Sequence, residues 1–411
     1  MSMHLFRLVI VGHVDHGKST LIGRLLYDTG SLAYDRIEEA RRASHSCGRQ
    51  TEFAYLLDHL EEERRQGITI DTTQVFFQTS HRQYAIIDAP GHVEFVKNMV
   101  TGASQADGAI LIVDAAEGIK EQTRRHAYLL SLLGLRQIIV AINKMDLVGF
   151  DEERFEGVRS ELKLFFSSLG IEPLYYIPIC ATKGANVARR SLETAWYGGV
   201  TLLEGLDLLK SRESAEQKRL IFPIQDVYSI EELRIAVGRV ESGTIAGGDE
   251  VNVLPVNRLI HIASVKRFME GYQKAAAEDC IGITTEEEMF LSRGDIICAP
   301  DYSPFLTDRF YAIVFWMSKN DLRREQRITL RCATQQTSCH IETIHKRIDS
   351  SDCSVLQQNA DFLKNLEIGE VTVCTRRPVV VTSFSDTQEL GRFVLVGDDD
   401  ICAGGIIKSA I

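Results

Sequence analysis

Apolar residues in the first half of the chain recur as short runs that show no polar alternation. Five such runs stand at residues 8–11, 85–87, 109–113, 138–142 and 175–179. Between them the spacing becomes helical, as in Glu121–Leu133, which ends before Gly134. Apolar strands separated by helices are typical of a parallel sheet covered on both faces. The first half is therefore predicted to be an α/β domain that binds ligands at the carboxyl ends of its strands.

The second half of the chain changes to alternating apolar and polar residues. Alternation over residues 235–240 and 251–254, with glycine-containing turns between them, predicts a small antiparallel barrel. Further strand patterns stand at residues 311–316, 328–332, 369–374 and 393–396. The predicted architecture is an α/β domain with a mostly parallel sheet at residues 1–215, followed by antiparallel β-barrel domains at residues 216–304 and 305–411.

The amino-acid composition is compatible with this three-domain architecture, and it argues against a nucleic-acid-wrapping protein and against a membrane protein. The 411 residues are 45% hydrophobic, and the net charge of −11 argues against a chain that wraps nucleic acid through its overall charge. The net charge does not exclude a local basic patch that binds nucleic acid. Nine cysteines without a C-x-x-C pair indicate a reducing compartment, and no apolar run approaches the ~18 residues of a membrane span. We therefore expect a cytoplasmic protein with no membrane partner.

A glycine-rich loop joins the first apolar strand to an amphipathic helix at residues 20–26. Residues 12–19 fit the pattern G-x-x-x-x-G-K-[ST], whose glycines let backbone N–H groups face a triphosphate at a helix N-terminus. Lys18 would reach the terminal phosphates, and Ser19 would bind Mg²⁺. The nucleotide-binding residues predicted here are Gly12, His13, Val14, Asp15, His16, Gly17, Lys18, Ser19 and Thr20.

Two further segments predict that the site senses the terminal phosphate. Asp88 follows the second strand and would hold Mg²⁺ through water, while Gly91 would turn its N–H toward the γ-phosphate. Thr69 precedes an alternating strand at residues 73–77 and would offer a second hydroxyl to Mg²⁺. The predicted magnesium ligands are therefore Ser19, Thr69 and Asp88.

A third motif indicates which base the site prefers. Asn143, Lys144 and Asp146 follow the fourth strand, and the Asp146 carboxylate can accept both N1–H and the N2 amino group of guanine. Adenine lacks that pair of donors and would leave the carboxylate unpaired, so the residue discriminates between bases. After the fifth strand, backbone N–H groups of Cys180, Ala181 and Thr182 would contact the guanine oxygen. GTP is therefore the predicted nucleotide.

In this order the motifs closely resemble those of the translational GTPase superfamily, which includes elongation factors Tu and one-alpha. The resemblance covers nearly the whole chain and implies an α/β P-loop GTPase domain followed by two antiparallel β-barrels. It implies that His92 orients the attacking water, with a structural role in its loop as the alternative. It also implies that Val14 and Ile68 gate that water and that Asp15 helps to bind a monovalent cation. The predicted catalytic residues are His92, Lys18 and Thr69.

Within the superfamily, several segments are most similar to the GTPase subunit of the bacterial heteromeric sulfate adenylyltransferase. This resemblance implies that GTP hydrolysis drives the formation of adenylyl sulfate from ATP and sulfate on a smaller, ATP-using catalytic subunit. The sequence has a single phosphate loop and no evident ATP site, so the adenylyl transfer would take place on that partner. The segments are residues 66–71, 121–126, 140–148, 196–203, 313–317 and 346–349.

Other features favour an elongation-factor-like GTPase that binds aminoacyl-tRNA and the ribosome. Ala89 departs from the threonine expected in the sulfate-activating subunit, and Val93–Phe95 is closer to elongation factors. Such a factor needs a basic, aromatic-bearing face on its barrels, for which Arg323–Arg324 and Arg376–Arg377 are candidates. A third alternative is a GTPase that regulates or assembles another enzyme.

Overall fold

The chain folds into two compact units in a computed structural model. The structure describes residues 5–31, 74–88, 106–210, 215–230, 233–267, 270–287, 289–397 and 400–411. One unit comprises Met1–Ser211 with Ser350–Cys353, and the other comprises Arg212–Asp349 with Ser354–Ile411. The domain boundaries at 215/216 and 304/305 stay a prediction. No helix among the described residues is long and apolar enough to cross a membrane.

The first unit is built on a six-stranded sheet in the order β2-β3-β1-β4-β5-β6. All neighbouring strands are parallel except β2, which lies antiparallel to β3 at one edge. The described elements are β1 (Leu5–Gly12), α1 (Lys18–Asp28), β2 (Gln74–Gln78), β3 (Gln83–Asp88), β4 (Gly108–Asp114), α2 (Glu121–Leu132), β5 (Ile138–Asn143), α3 (Glu152–Ser168), β6 (Tyr175–Pro178) and α4 (Leu202–Asp207), with short 3₁₀ turns at Met145–Val148 and Leu192–Thr194.

Burial explains why these segments form a mostly parallel sheet. Every residue of β4 and β5 is buried, which is the environment that an apolar run without alternation requires. The edge strand β2 alternates instead, with Val75 and Phe77 buried and Phe76 exposed. Helix α1 packs the predicted apolar stripe, Leu21, Ile22, Leu25 and Leu26, into the same core. The predicted α/β fold is confirmed.

The second unit consists of antiparallel strands arranged in two barrels. The first barrel contains β7 (Ile221–Ile230), β8 (Leu233–Arg239), β9 (Thr244–Ala246), β10 (Glu250–Leu254), β11 (Arg258–Arg267), β12 (Glu270–Tyr272), β13 (Lys274–Ala276), β14 (Cys280–Thr285) and β15 (Ile296–Cys298). Its main sheet runs β10-β15-β7-β8-β14-β11-β12, and the pairing of β10 with β11 closes it. A 3₁₀ turn at Ala215–Gln217 precedes β7.

The second barrel closes in the same way, through pairing of β18 with β19. Its main sheet runs β18-β23-β24-β16-β22-β19-β20. The elements are β16 (Phe305–Trp316), β17 (Leu322–Arg323), β18 (Ile328–Cys332), β19 (Gln335–Asp349), β20 (Val355–Ala360), β21 (Phe362–Leu363), β22 (Glu367–Val381), α5 (Gln388–Gly391), β23 (Arg392–Gly397) and β24 (Asp400–Ala410). The predicted pair of antiparallel barrels is confirmed.

Strand lengths in the second barrel differ from the sequence pattern. The patterns at residues 311–316 and 369–374 cover only part of β16 and β22, and the sequence pattern sets no bounds for β19. Register shifts at Thr307/Arg309 and Ile341/Thr343 interrupt the alternation within these long strands. A bulge moves the following residues to the other face, so a period-two pattern ends although the strand continues.

Candidate functional site

The phosphate loop lies between β1 and α1, where two glycines have positive φ angles. Gly12 ends β1 with φ 157°, and a Cβ there would lie 2.5 Å from the Ile112 carbonyl oxygen on the neighbouring strand. Gly17 is the N-cap of α1 with φ 95°, a left-handed conformation that suits glycine. The glycines therefore allow the loop to pass close to β4 and then turn into the helix.

Lys18 and Ser19 stand in the first turn of that helix. The Lys18 ammonium donates hydrogen bonds to the carbonyl oxygens of Gly12, at 2.9 Å, and His13, at 2.8 Å, so it lies across the loop. Among the described residues, the Ser19 hydroxyl has no hydrogen-bond partner. An uncommitted hydroxyl oxygen at this position is a hard ligand of the kind that Mg²⁺ prefers, so the residue fits the predicted metal.

Several predicted site residues lie outside the described part of the chain. These are Thr69, Gly91, His92 and the gating residue Ile68. Asp88 is described only through its backbone, which ends β3 opposite Ile10 of β1 and thus at the strand edge that carries the phosphate loop. The proposed roles of these residues stay predictions.

Asn143 links three of the predicted segments. Its side chain is buried at the end of β5, and Nδ2 donates to the His16 carbonyl oxygen at 2.9 Å. Its Oδ1 accepts from the Ala181 backbone N–H at 3.0 Å. One amide therefore ties the phosphate loop, the guanine motif and the segment after β6 together, because it uses both its donor and its acceptor.

Asp146 is oriented by a cysteine thiol. Cys180 Sγ donates to Asp146 Oδ1 at 3.2 Å and lies 3.2 Å from the Thr182 hydroxyl. Burial raises the pKa of the Cys180 thiol, so it stays protonated and remains a donor. Cys180, Thr182 and Asp146 therefore lie together, and the side chain of Cys180 contacts both of the others.

A buried acid that the sequence analysis missed holds Lys144. Lys144 has the left-handed φ of 60°, and its ammonium lies 2.8 Å from Asp114 Oδ2 at the end of β4. Burial alone would raise the pKa of Asp114, but hydrogen bonds from Lys144 and from the N–H groups of Ala116 and Glu117 hold that pKa below its usual value. Its position directly after an apolar strand was the only signal in the sequence.

Two histidines near the phosphate loop, His16 and His126, are buried. The His16 ring is 1% exposed, and its Nδ1 lies 3.3 Å from the Asp114 backbone nitrogen. Burial and nearby Lys18 lower the pKa of His126, on α2, to about 3. Burial lowers the pKa of His16 as well, so Lys18 rather than the His16 or His126 imidazole supplies positive charge at this loop.

Comparisons with known proteins agree with this geometry. Residues 3–223 match the family model "Elongation factor Tu GTP binding domain", and residues 309–408 match "GTP-eEF1A C-terminal domain-like". The chain is 38% identical over 395 residues to elongation factor 1-alpha of Methanosphaerula palustris, covering 94% of this chain and 93% of that protein. It is 40% identical over 395 residues to elongation factor 1-alpha of Archaeoglobus fulgidus, with coverage of 94% and 93%.

A solved structure of sup35 complexed with GDP is 24% identical, with a TM-score of 0.46 over 100% of this chain and 95% of that chain.

Proposed function

The chain belongs to the elongation factor Tu family of translational GTPases, and from this premise we propose that it is a GTP-driven switch that carries aminoacyl-tRNA to the ribosome. Membership makes it a GTP-binding GTPase. The observation that carries the finer proposal is that the similarity to elongation factor 1-alpha runs through both barrels as well as the GTPase unit.

These matches do not support the interpretation of the chain as a subunit of sulfate adenylyltransferase. Many residues in the segments that suggested it are buried, such as those of β5, His126 and Trp316. Buried positions are constrained by packing, which proteins of one fold share whatever their partners are. This explains why the segments are a weak guide to the branch of the superfamily.

For hydrolysis, we propose that the loop backbone and Lys18 hold the triphosphate, and that His92 orients the attacking water. Lys18 would stabilise the negative charge that develops on the γ-phosphate oxygens. Ser19, Thr69 and Asp88 would hold Mg²⁺, which when bound neutralises phosphate charge. Loss of the γ-phosphate would release Thr69 and Gly91, and the two segments that carry these residues would then relax.

The proposed role of His92 is tested by His92→Ala. We expect GTP hydrolysis to slow by about tenfold or more, because the water loses its orienting group, while GTP affinity is unchanged. Single-turnover hydrolysis and equilibrium nucleotide binding measure the two quantities. The control is His81→Ala, which removes an exposed histidine of the same unit that contacts Asp207. Full hydrolysis by the His92 variant would eliminate this role.

The first barrel carries an exposed apolar and aromatic surface suited to an aminoacylated RNA end. Ile230 and Leu233 face each other across the β7–β8 hairpin, and both are exposed, as is Tyr228. Phe290 is 82% exposed, with the Arg234 guanidinium 4.8 Å from its ring centre. Aromatic rings and guanidinium groups are the surfaces on which unpaired bases stack. The hairpin therefore supports the proposal.

The second barrel carries a basic cavity of about 380 Å³. Its lining includes Arg327, His340 and Arg376, and among the described residues neither arginine has an ion-pair partner. Arg324, also a candidate from the sequence, is instead engaged by the Glu342 carbonyl oxygen at 2.9 Å. Uncommitted arginines around a cavity suit phosphate groups of an RNA backbone.

Charge reversal at this cavity tests the proposed RNA contact. We expect Arg327→Glu and Arg376→Glu each to weaken aminoacyl-tRNA binding by about tenfold and to reduce its salt dependence. Binding is measured as protection of the aminoacyl ester by the GTP-loaded chain. The matched control is Arg331→Glu, which reverses a charge on the same barrel outside the cavity lining.

The GTP-loaded wild-type chain also distinguishes aminoacyl-tRNA delivery from the sulfate adenylyltransferase function. Ester protection by the wild-type chain supports delivery of aminoacyl-tRNA. If the chain gives no protection, and instead co-purifies with a smaller subunit that releases pyrophosphate from ATP in a sulfate-dependent and GTP-stimulated reaction, the delivery proposal is wrong. The GTP site would be unaffected by that outcome.

A further inference from the structure

Strand β4 ends between the two loops that form the nucleotide site. Its Ile112 pairs with Gly12 of β1, where the phosphate loop begins. Its last residue, Asp114, pairs with Asn143 of β5, where the guanine motif begins. The end of β4 is therefore the one described strand terminus that has the phosphate loop on one side and the guanine motif on the other.

Asp114 bonds to both sides. Its backbone N–H donates to His16 Nδ1 at 3.3 Å in the phosphate loop. Its carboxylate forms an ion pair through Oδ2 with the Lys144 ammonium, at 2.8 Å. A buried carboxylate paired with a cation and with backbone N–H groups is strongly held in one orientation.

The turn after Asp114 is fixed independently from α3. Asp114 Oδ1 accepts the N–H of Ala116 at 2.8 Å, and Arg154 donates to the carbonyl oxygens of Ala115, at 2.6 Å, and Ala116, at 2.8 Å. Since the turn is held on both sides, the carboxylate that it presents to Lys144 is preorganised rather than mobile. The Lys144 side chain is 30% exposed and would be free to move without this partner.

We infer that Asp114 is a positioning residue of the guanine site, which acts by holding Lys144 in its left-handed conformation beside Asn143. This inference rests on the proposed nucleotide site and deepens it. Left-handed conformations are disfavoured for lysine, so they persist where surrounding contacts impose them. Fixing Lys144 also fixes the backbone that leads into Asp146, which selects the base.

The test is a double-mutant cycle in GDP release from the full chain. We expect Asp114→Asn to speed the release of a fluorescent GDP analogue by about tenfold, since a charge-assisted bond is lost. Lys144→Met should have a similar effect, and the double variant should add little to either single change. Such non-additivity identifies action through Lys144.

A matched control separates positioning from general stability. Asp207 is also a network carboxylate of the first unit, and it accepts hydrogen bonds from Tyr84 and Thr79. Asp207→Asn should lower the melting temperature and leave GDP release unchanged. If Asp114→Asn fails to fold, Lys144→Met alone carries the test, because Lys144 is partly exposed.

Two results would overturn the inference. One is wild-type release from Asp114→Asn or, where that variant does not fold, from Lys144→Met. The other is a double variant whose effect is the product of the single effects. Failure of the proposed function is distinguishable, because the wild-type chain itself would then not bind aminoacyl-tRNA or would not prefer guanine nucleotides.

Discussion

Replacing Asp146 with asparagine is expected to change the preferred nucleotide from guanosine to xanthosine triphosphate. In the proposed site the carboxylate would accept two N–H donors of guanine, whereas the amide can accept only one and would place an NH₂ group against the other. Xanthine carries a 2-oxo group at that position, which accepts a hydrogen bond from the amide. Two hydrogen bonds to a charged group are worth about 4 kcal/mol, so we expect a loss of GTP affinity on the order of a thousandfold.

The Cys180 thiol limits how the amide of the Asp146→Asn variant can be oriented. The thiol donates to Asp146 Oδ1, and the same thiol can donate only to the oxygen of an amide. The asparagine would therefore keep its oxygen in the Oδ1 position and place its NH₂ group in the Oδ2 position. The thiol thus favours one of the two orientations of the amide.

Competition binding with GTP and xanthosine triphosphate measures this change. The matched control is Asp151→Asn, the same substitution at the N-cap of α3, where Asp151 accepts the Arg154 backbone N–H at 3.1 Å. Asparagine caps helices about as well as aspartate, so this control should keep both its stability and its preference for GTP. An Asp146 variant with the base preference of the wild type would show that the guanine assignment is wrong.

Gly17→Ala is expected to abolish tight nucleotide binding although it adds a single methyl group. Gly17 has φ 95°, and its added Cβ would lie 2.5 Å from Asn143 Nδ2. The methyl would displace the amide that donates to His16 and accepts from Ala181. Left-handed strain and an unpaired buried polar group cost about 2 kcal/mol each.

Both costs lower the affinity for nucleotide. Without nucleotide the phosphate loop can relax away from Asn143, whereas the nucleotide-bound loop would bring the added methyl group back against the Asn143 amide. The expected loss is therefore about 4 kcal/mol, on the order of a thousandfold in GDP affinity, measured by equilibrium titration. Gly30→Ala is the matched control, since Gly30 has φ 66° and a Cβ there meets nothing within 4 Å. It should lose stability without losing affinity. Equal affinities for the two variants would contradict the argument.

The sequence by itself determined the buried strands of the α/β domain and the order of the site motifs. Apolar runs such as Ile138–Asn143 contain no polar alternation, and only burial on both faces satisfies such a run. The loop pattern likewise requires glycine at Gly17, because the backbone there takes a left-handed conformation. Both signals are local, so they can be read without knowing what lies nearby in space.

Only the tertiary structure decided which side chains cooperate. Asn143 bonds His16 across 127 positions, and Asp114 bonds the same residue across 98. In the second barrel, too, only the structure separates two arginines that look alike in the sequence. Arg324 donates to the Glu342 carbonyl oxygen, whereas Arg376 lines the basic cavity. Neither spacing nor residue type encodes such partnerships, since they depend on which strand ends the fold brings together.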